Sequence, residues 1–599
     1  MMNCGALTHT SRLAALRTEL KRRKLDGFIV PLADEHLSEY VGAYAQRLAW
    51  LTGFRGSAGT AIVLEAEAVI FVDGRYTLQV REQVDERLWS ILTVPKTCVA
   101  AWLGEHAGKG ARIGYDPWLH TKDWVSATRA ALAERGAVLV AVDINVVDAV
   151  WLDRPCPSLA KLAVHPKSLA GRSSSEKRQD IVERLAAKRV DAVVLSALDS
   201  IAWTFNVRGS DIEHSPVALA FALVHIDSSA DLFVAPDKLT NEVVEHLGST
   251  VRLHSREAFV KHLATLAGRR VAVDPERTVA VILEALEEAG ARVIKERDPV
   301  LLPKAIKNAA EIAGHRAAQA RDGAAFSRFL HWFSIEAPKG VLTELSAAAK
   351  LRQFREATGR LRGLSFETIS SFGPSGAIIH YRPSEETDRR IMPGSLYLVD
   401  SGGQYVDGTT DVTRTITIGA PTAEMRDRFT RALKGHIALA RAVFPAGTRG
   451  GQLDALARQY LWIAGLDYTH GTSHGVGSYL CVHEGPQRVT HNGDYKDSLM
   501  PGMILSNEPG YYKAGEYGIR IENLMVVVKR EVCGAELEML GFETLTFAPL
   551  DRALIDLALL TPGERAWIDN YHMEVMQIVG PQLDGSAKTW LQDATRPLS

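Results

Sequence analysis

The chain has 599 residues, 46% hydrophobic and 23% charged, a length that calls for several domains, each with its own core. Its 69 Lys and Arg nearly cancel 71 Asp and Glu, leaving a formal charge of -2 and no basic surplus to draw it to nucleic acid or an anionic membrane. No apolar run reaches about 18 residues, which argues against a membrane-spanning helix, and the five cysteines, none in a CxxC pair, argue against a disulfide framework or a thiolate zinc site.

The N-terminus, Met1 to Arg12, lacks the apolar run of a signal peptide, so a cytoplasmic location is expected. An amphipathic helix follows over Leu13 to Lys24, then strands at Gly27 to Pro31, Thr60 to Leu64 and Val69 to Val72. This first α/β domain is placed at 1–157. A helix over Ser175 to Lys188 and a strand at Ala192 to Leu195 open a second cycle, in which VDAVVL stands where LDGFIV stood before. A related α/β domain over 158–302 is therefore expected.

Beyond Pro299 to Lys304, a breaker-poor stretch from Ala309 to Phe333 predicts a long helix. After Ser365 the pattern turns to short strands, Gly-rich turns and interspersed helices, an α+β pattern filling the last domain, 303–599. The tail after Gly585 is expected to be partly mobile.

The candidate chemistry lies in this last domain. The strand Leu396 to Val399 ends on Asp400, and a second strand begins at Asp411 after a Gly-rich turn, so a hairpin folds the two carboxylates together. Carboxylates that close repel, and burial raises at least one pKa unless a cation neutralises them. His470, His474 and His483 lie among glycines, Glu508 ends an apolar strand, and Arg520 and Glu522 share one face if GIRIENLMVVV is a single strand. Two Asp, two Glu and one His can hold paired metals about 3.5 to 4 Å apart that acidify a shared water, and this donor set suits manganese or a similar divalent ion. Each feature alone has an ordinary reading: a turn-forming Asp, a satisfied core His, a cross-strand Glu–Arg pair. Their order and shared local sequence set those readings aside.

The segments DSGGQYVDGTTDVTRT, HGTSHGVG, VHEGP, SNEPGYY and GIRIEN, with GFRGSAGTAIV and VDGRYTLQ near the start and DNYH near the end, resemble the pita-bread metallopeptidases, specifically their three-domain aminopeptidase P branch. The resemblance implies two related N-terminal α/β domains followed by a pita-bread catalytic domain. It implies metal ligands at Asp400, Asp411, His474, Glu508 and Glu522 for two divalent ions, most simply manganese. It implies further that Glu508, His483 and His380 act in catalysis and that His380, His470 and His483 contact substrate. Arg520 and Tyr512 would hold the ligand carboxylates. The implied reaction removes the residue before a proline in second position, by attack of a metal-bridging hydroxide, and the implied assembly is a homodimer acting on short peptides. Cys481 stands where the family pattern has Asn or Asp. A prolidase with the same ligands and a metal-free binding module remain the alternatives.

Overall fold

The computed structural model describes residues 8–598 except 492, 494 and 495; Cys4 and most of the stretch Met1 to Arg12 lie outside the described residues. The chain divides into two compact units, one of residues 1–164, 172–213 and 217–300, the other of 165–171, 214–216 and 301–599. Among the described residues no helix is long and apolar enough to cross a membrane, and the four described cysteines are unbridged.

The first unit contains two six-stranded mixed sheets. One runs, edge to edge, Ser90–Thr93, Ala68–Val72, Thr60–Leu64, Gly27–Pro31, Arg112–Tyr115, Val138–Ala141. The other runs Val251–His254, Ala230–Val234, Ala220–His225, Ala192–Leu195, Arg270–Val273, Arg292–Lys295. Strand order and direction coincide: the third strand is antiparallel to both its neighbours, and every other pairing is parallel. The short VDAVVL–LDGFIV likeness thus marks two copies of one α/β plan. Within this unit the two sheets are tied by His36, whose Nδ1 donates to the Ser196 carbonyl at 2.8 Å, and by the Arg256–Glu35 ion pair.

The helices follow their caps rather than their apolar periodicity. The first starts at His9, ahead of Leu13, because the Thr8 side chain accepts the Ser11 N–H; it buries Leu13, Leu16 and Leu20. The second, Ser174–Ala187, opens on a reciprocal Ser173–Glu176 capping box.

The second unit is built on the helix Ala309–Glu336, capped by Asn308 and Glu311 and burying Phe326, Phe329, Leu330 and Phe333. A three-stranded sheet places Leu396–Ser401 between Ile369–Phe372 and Val412–Thr417. A six-stranded sheet runs Val443–Pro445, Met539–Thr544, Asn523–Arg530, Ile504–Asn507, Ser473–Gly475, Glu484–Val489. A single bridge between Thr413 and Glu522 joins the two. The tail after Gly585 departs from expectation: it forms the helix Gly585–Ala594, anchored by a fully buried Leu591.

Candidate metal centre

The Leu396–Ser401 and Val412–Thr417 strands form the expected hairpin, with Asp400 opposite Thr413 and Asp411 just before the second strand. His474 comes from Ser473–Gly475, and Glu508 follows Ile504–Asn507, the adjacent strand in the larger sheet. Glu522 lies at the bridge between sheets. Here the sequence reading needs correction. GIRIENLMVVV is two strands, Tyr517–Arg520 and Asn523–Arg530, which belong to different sheets. The β-branched run reads as continuous, but the chain leaves one sheet after Arg520 and enters the other at Asn523. Both Arg520 and Glu522 nevertheless reach the centre.

Ligand atoms of Asp411, His474 and Glu522 all lie within 4.8 Å of one another, and all three residues are buried. His474 Nε2 is 3.4 Å from Asp411, 3.6 Å from Glu508 and 4.0 Å from Glu522. Its other nitrogen, Nδ1, lies 2.9 Å from the Gly475 carbonyl. A carbonyl can only accept, so Nδ1 carries a proton and Nε2 is the nitrogen turned toward the three acidic groups, the orientation that a metal-binding imidazole needs. A ring nitrogen and carboxylate oxygens converging in a buried space suit a cation between them. Asp400 Oδ1 and Asp411 Oδ1 are likewise buried without a hydrogen-bond partner, an arrangement that protein interiors rarely leave unsatisfied.

The electrostatics point the same way. Burial, reinforced by Asp400 and Glu508, pushes the Asp411 carboxyl well above its usual range. Burial, then Asp411, Glu508 and Asp400, does the same to Glu522. Against the four carboxylates stands Arg520, whose Nη2 donates to Asp400 Oδ2 at 2.6 Å; the other guanidinium acting on Asp411, that of Arg355, is ion-paired with Asp322. The deficit of positive charge, the two orphaned oxygens and the mixed O/N donors fit a pair of divalent ions.

The supporting groups form a directed chain. Arg520 Nη1 donates to Tyr512 Oη at 2.7 Å, leaving the phenol to donate to His470 Nε2 at 2.9 Å, while His470 Nδ1 donates to the Gly471 carbonyl at 2.8 Å. Burial pushes the Tyr512 phenol up to about 12, so it stays protonated. His483 meets the His474 ring edge-on at 4.4 Å between centroids. His380 is half-buried and follows Ile379, whose carbonyl accepts from Arg520 at 3.3 Å. Half-buried Cys481 lies two residues from His483, in the irregular stretch before the Glu484–Val489 strand.

Several contributors lie outside the residues singled out in the sequence. Thr413 Oγ1 donates to Glu522 Oε2 at 2.7 Å, and Ser506 Oγ donates to Glu508 Oε1 at 3.1 Å. Fully buried Arg414 clamps the Glu522 and Ala548 carbonyls at 2.8 and 2.7 Å. Arg458 donates to the His470 carbonyl at 2.6 Å while pairing with Asp454 one helical turn earlier. Only this last residue had a readable signal, an Asp–Arg pair at i,i+4, the spacing of neighbours on one helix face.

Comparison with known proteins agrees with this geometry. Residues 313–529 match metallopeptidase family M24 and 538–598 the C-terminal region of that peptidase, while 12–150 and 153–311 each match a creatinase/prolidase N-terminal domain. A probable Xaa-Pro aminopeptidase P of Aspergillus fumigatus is 43% identical, the alignment covering 98% of this chain and 93% of the relative. One from Aspergillus niger is 42% identical over 98% and 99%. The crystal structure of X-prolyl aminopeptidase from Caenorhabditis elegans, described as a cytosolic enzyme with a di-nuclear active site, superposes with a TM-score of 0.94 at 34% identity, over 99% of this chain and 100% of that one. The chain belongs to the Xaa-Pro aminopeptidase P branch of metallopeptidase family M24.

Proposed function

We propose that the protein is an Xaa-Pro aminopeptidase, releasing the first residue from short peptides whose second residue is proline. Asp400, Asp411, His474, Glu508 and Glu522 would hold two divalent ions, most simply manganese. The observation that carries this reading is the ring of His474, its Nδ1 spent on the Gly475 carbonyl and its Nε2 aimed at Asp411, Glu508 and Glu522, beside two unpartnered carboxylate oxygens. When bound, the ions supply Lewis acidity at the scissile carbonyl and acidify a water.

The chain's own groups do the rest. Glu508 takes the proton from the attacking water. His483, packed against His474, donates to the developing oxyanion, the type of preorganised contact that dominates acyl-transfer catalysis. His380 steadies the substrate beside the leaving nitrogen, and His470, fixed by Tyr512, lines the proline side. Proline has no N–H and a fixed φ, so an ordinary peptidase that grips that N–H loses its contact there. A three-domain division at 157 and 302, a homodimer and a cytoplasmic location accompany this reading.

The test is hydrolysis of an Xaa-Pro-Xaa tripeptide and an Xaa-Pro dipeptide after chelation and stepwise return of manganese. Metal-dependent release of the first residue from the tripeptide supports the proposal. Cleavage of the dipeptide alone makes the protein a prolidase, and no cleavage with metal bound sinks the substrate assignment.

A further inference from the structure

The first unit holds a second convergence of metal-binding side chains. Asp231, on the strand Ala230–Val234, lies next to Arg252 in register, and Phe233 lies next to His254 on the neighbouring strand. Alternation puts all four side chains on one sheet face. The short helix Phe259–His262 lays His262 over the same face, its ring 4.7 Å from that of His254 and 5.1 Å from that of Phe233. The Asp231 carboxylate is 1% exposed; His254 and His262 are 27% and 24% exposed, open enough to admit an ion from solvent.

The distances have the scale of a coordination shell. His254 Nε2 is 2.8 Å from Asp231 Oδ1, and His262 Nε2 is 3.7 Å from Asp231 Oδ2. Ligand atoms of the three residues all lie within 4.8 Å of one another. With metal–ligand bonds of about 2.0 to 2.1 Å, the edge of a tetrahedral zinc shell is about 3.3 Å, between the two distances observed. His225 Nε2, 2.6 Å from Asp231 Oδ2, holds the carboxylate from the other side. An ion pair with Arg252 needs one carboxylate and one guanidinium; it does not need three imidazoles turned so that each Nε2 faces the same acid.

We propose that Asp231, His254 and His262 form a binding site for a zinc-class divalent cation, oriented by His225 and opposed by Arg252. The ion takes the place of the His254 Nε2–H···Asp231 bridge, and the ring then keeps one proton on Nδ1: an imidazolium releases its Nε2 proton to solvent, and a neutral ring exchanges it for one on Nδ1. Two imidazoles and one carboxylate favour zinc, cobalt, nickel or copper over manganese or magnesium, which prefer oxygen. A water completes the shell. Arg252 pairs with both carboxylate oxygens, at 2.7 and 2.8 Å, yet its side chain is half exposed. It can withdraw, and its charge sets the threshold for occupancy.

The experiment takes the full chain saturated with manganese, equilibrates it with zinc, and measures zinc per chain by elemental analysis after desalting. The comparison includes wild type, His254→Gln, His262→Gln and Arg252→Gln. Wild type is expected to carry one more zinc than either histidine variant, with peptidase activity unchanged in both, and Arg252→Gln to bind that zinc at least tenfold more tightly. Equal zinc counts in wild type and both histidine variants would overturn the proposal, as would zinc affinity indifferent to Arg252→Gln. In either case the cluster is a hydrogen-bonded staple between two strands and a helix. Retained activity in the histidine variants shows that they fold, so a lost zinc is not a lost structure.

Discussion

The two clusters use similar ligand types with opposite charge balance. Around His474 stand the carboxylates of Asp411, Glu508 and Glu522, with Asp400 of the same centre ion-paired to Arg520. Around Asp231 stand three imidazoles and Arg252. The first set repels itself until cations arrive. The second is already satisfied, its carboxylate held well below the usual range by hydrogen bonds from His225, Arg252 and His254 despite burial. Shared ligand types therefore do not imply shared affinity: a metal completes the one and must compete with protons and Arg252 in the other.

The sharpest way to break this contrast is Asp411→Asn. It removes a carboxylate that is proposed to hold the ions and should lower kcat/KM roughly a thousandfold, the scale of several kcal/mol of lost transition-state stabilisation; steady-state kinetics with metal in excess checks it. Next comes Arg520→Gln, which frees Asp400 and Tyr512 together. Metal affinity or activity should fall roughly 10- to 100-fold, and Arg520→Lys should recover little, since one ammonium cannot serve both partners in the same geometry.

Chelation sharpens the comparison through pH. Asp411 and Glu522 have folded pKa values raised above their unfolded ones. Their contribution to metal-free stability is thus fully present below the ordinary carboxylate range and is lost as pH climbs through the raised values. The melting temperature of the metal-free protein should fall on going from mildly acid to neutral pH, and saturating manganese should remove most of that fall. A melting temperature that rises with pH in the metal-free protein would refute the charge argument.

Smaller effects follow. Thr413→Val deletes the hydrogen bond to Glu522 and should cost about 1 kcal/mol, roughly fivefold in metal affinity. His262→Gln, at a site already satisfied, should change stability by about 0.5 kcal/mol or less by thermal melting.

Much of this was legible before any coordinates. The paired α/β plan shows in VDAVVL and LDGFIV, and the five candidate ligands show in order along the chain, four of them beside a glycine or at a strand end and Glu522 only through the likeness of GIRIEN to the family. What stayed hidden depends on long-range geometry. The sheet change between Arg520 and Asn523 lies inside an unbroken β-branched run, where alternation carries no mark of a new partner strand. The tautomer of His474 is set by the Gly475 carbonyl, a matter of local backbone angle. Arg414 looks like any charged residue in a strand until its guanidinium is found clamping the Glu522 carbonyl. The Asp231 cluster brings together residues from three strands and a helix with no motif spacing at all.

The sheet change at Ile521 and Glu522 has a consequence for the metal-free protein. The three- and six-stranded sheets of the second unit meet at the Thr413–Glu522 bridge, with Arg414 bonded across it to Asn523, and the acidic groups are drawn from both sides of that seam. Two ions held there would cancel the repulsion across the seam, so amide exchange in Val412–Thr417 and Asn523–Arg530 is expected to slow together when manganese is added to the metal-free protein.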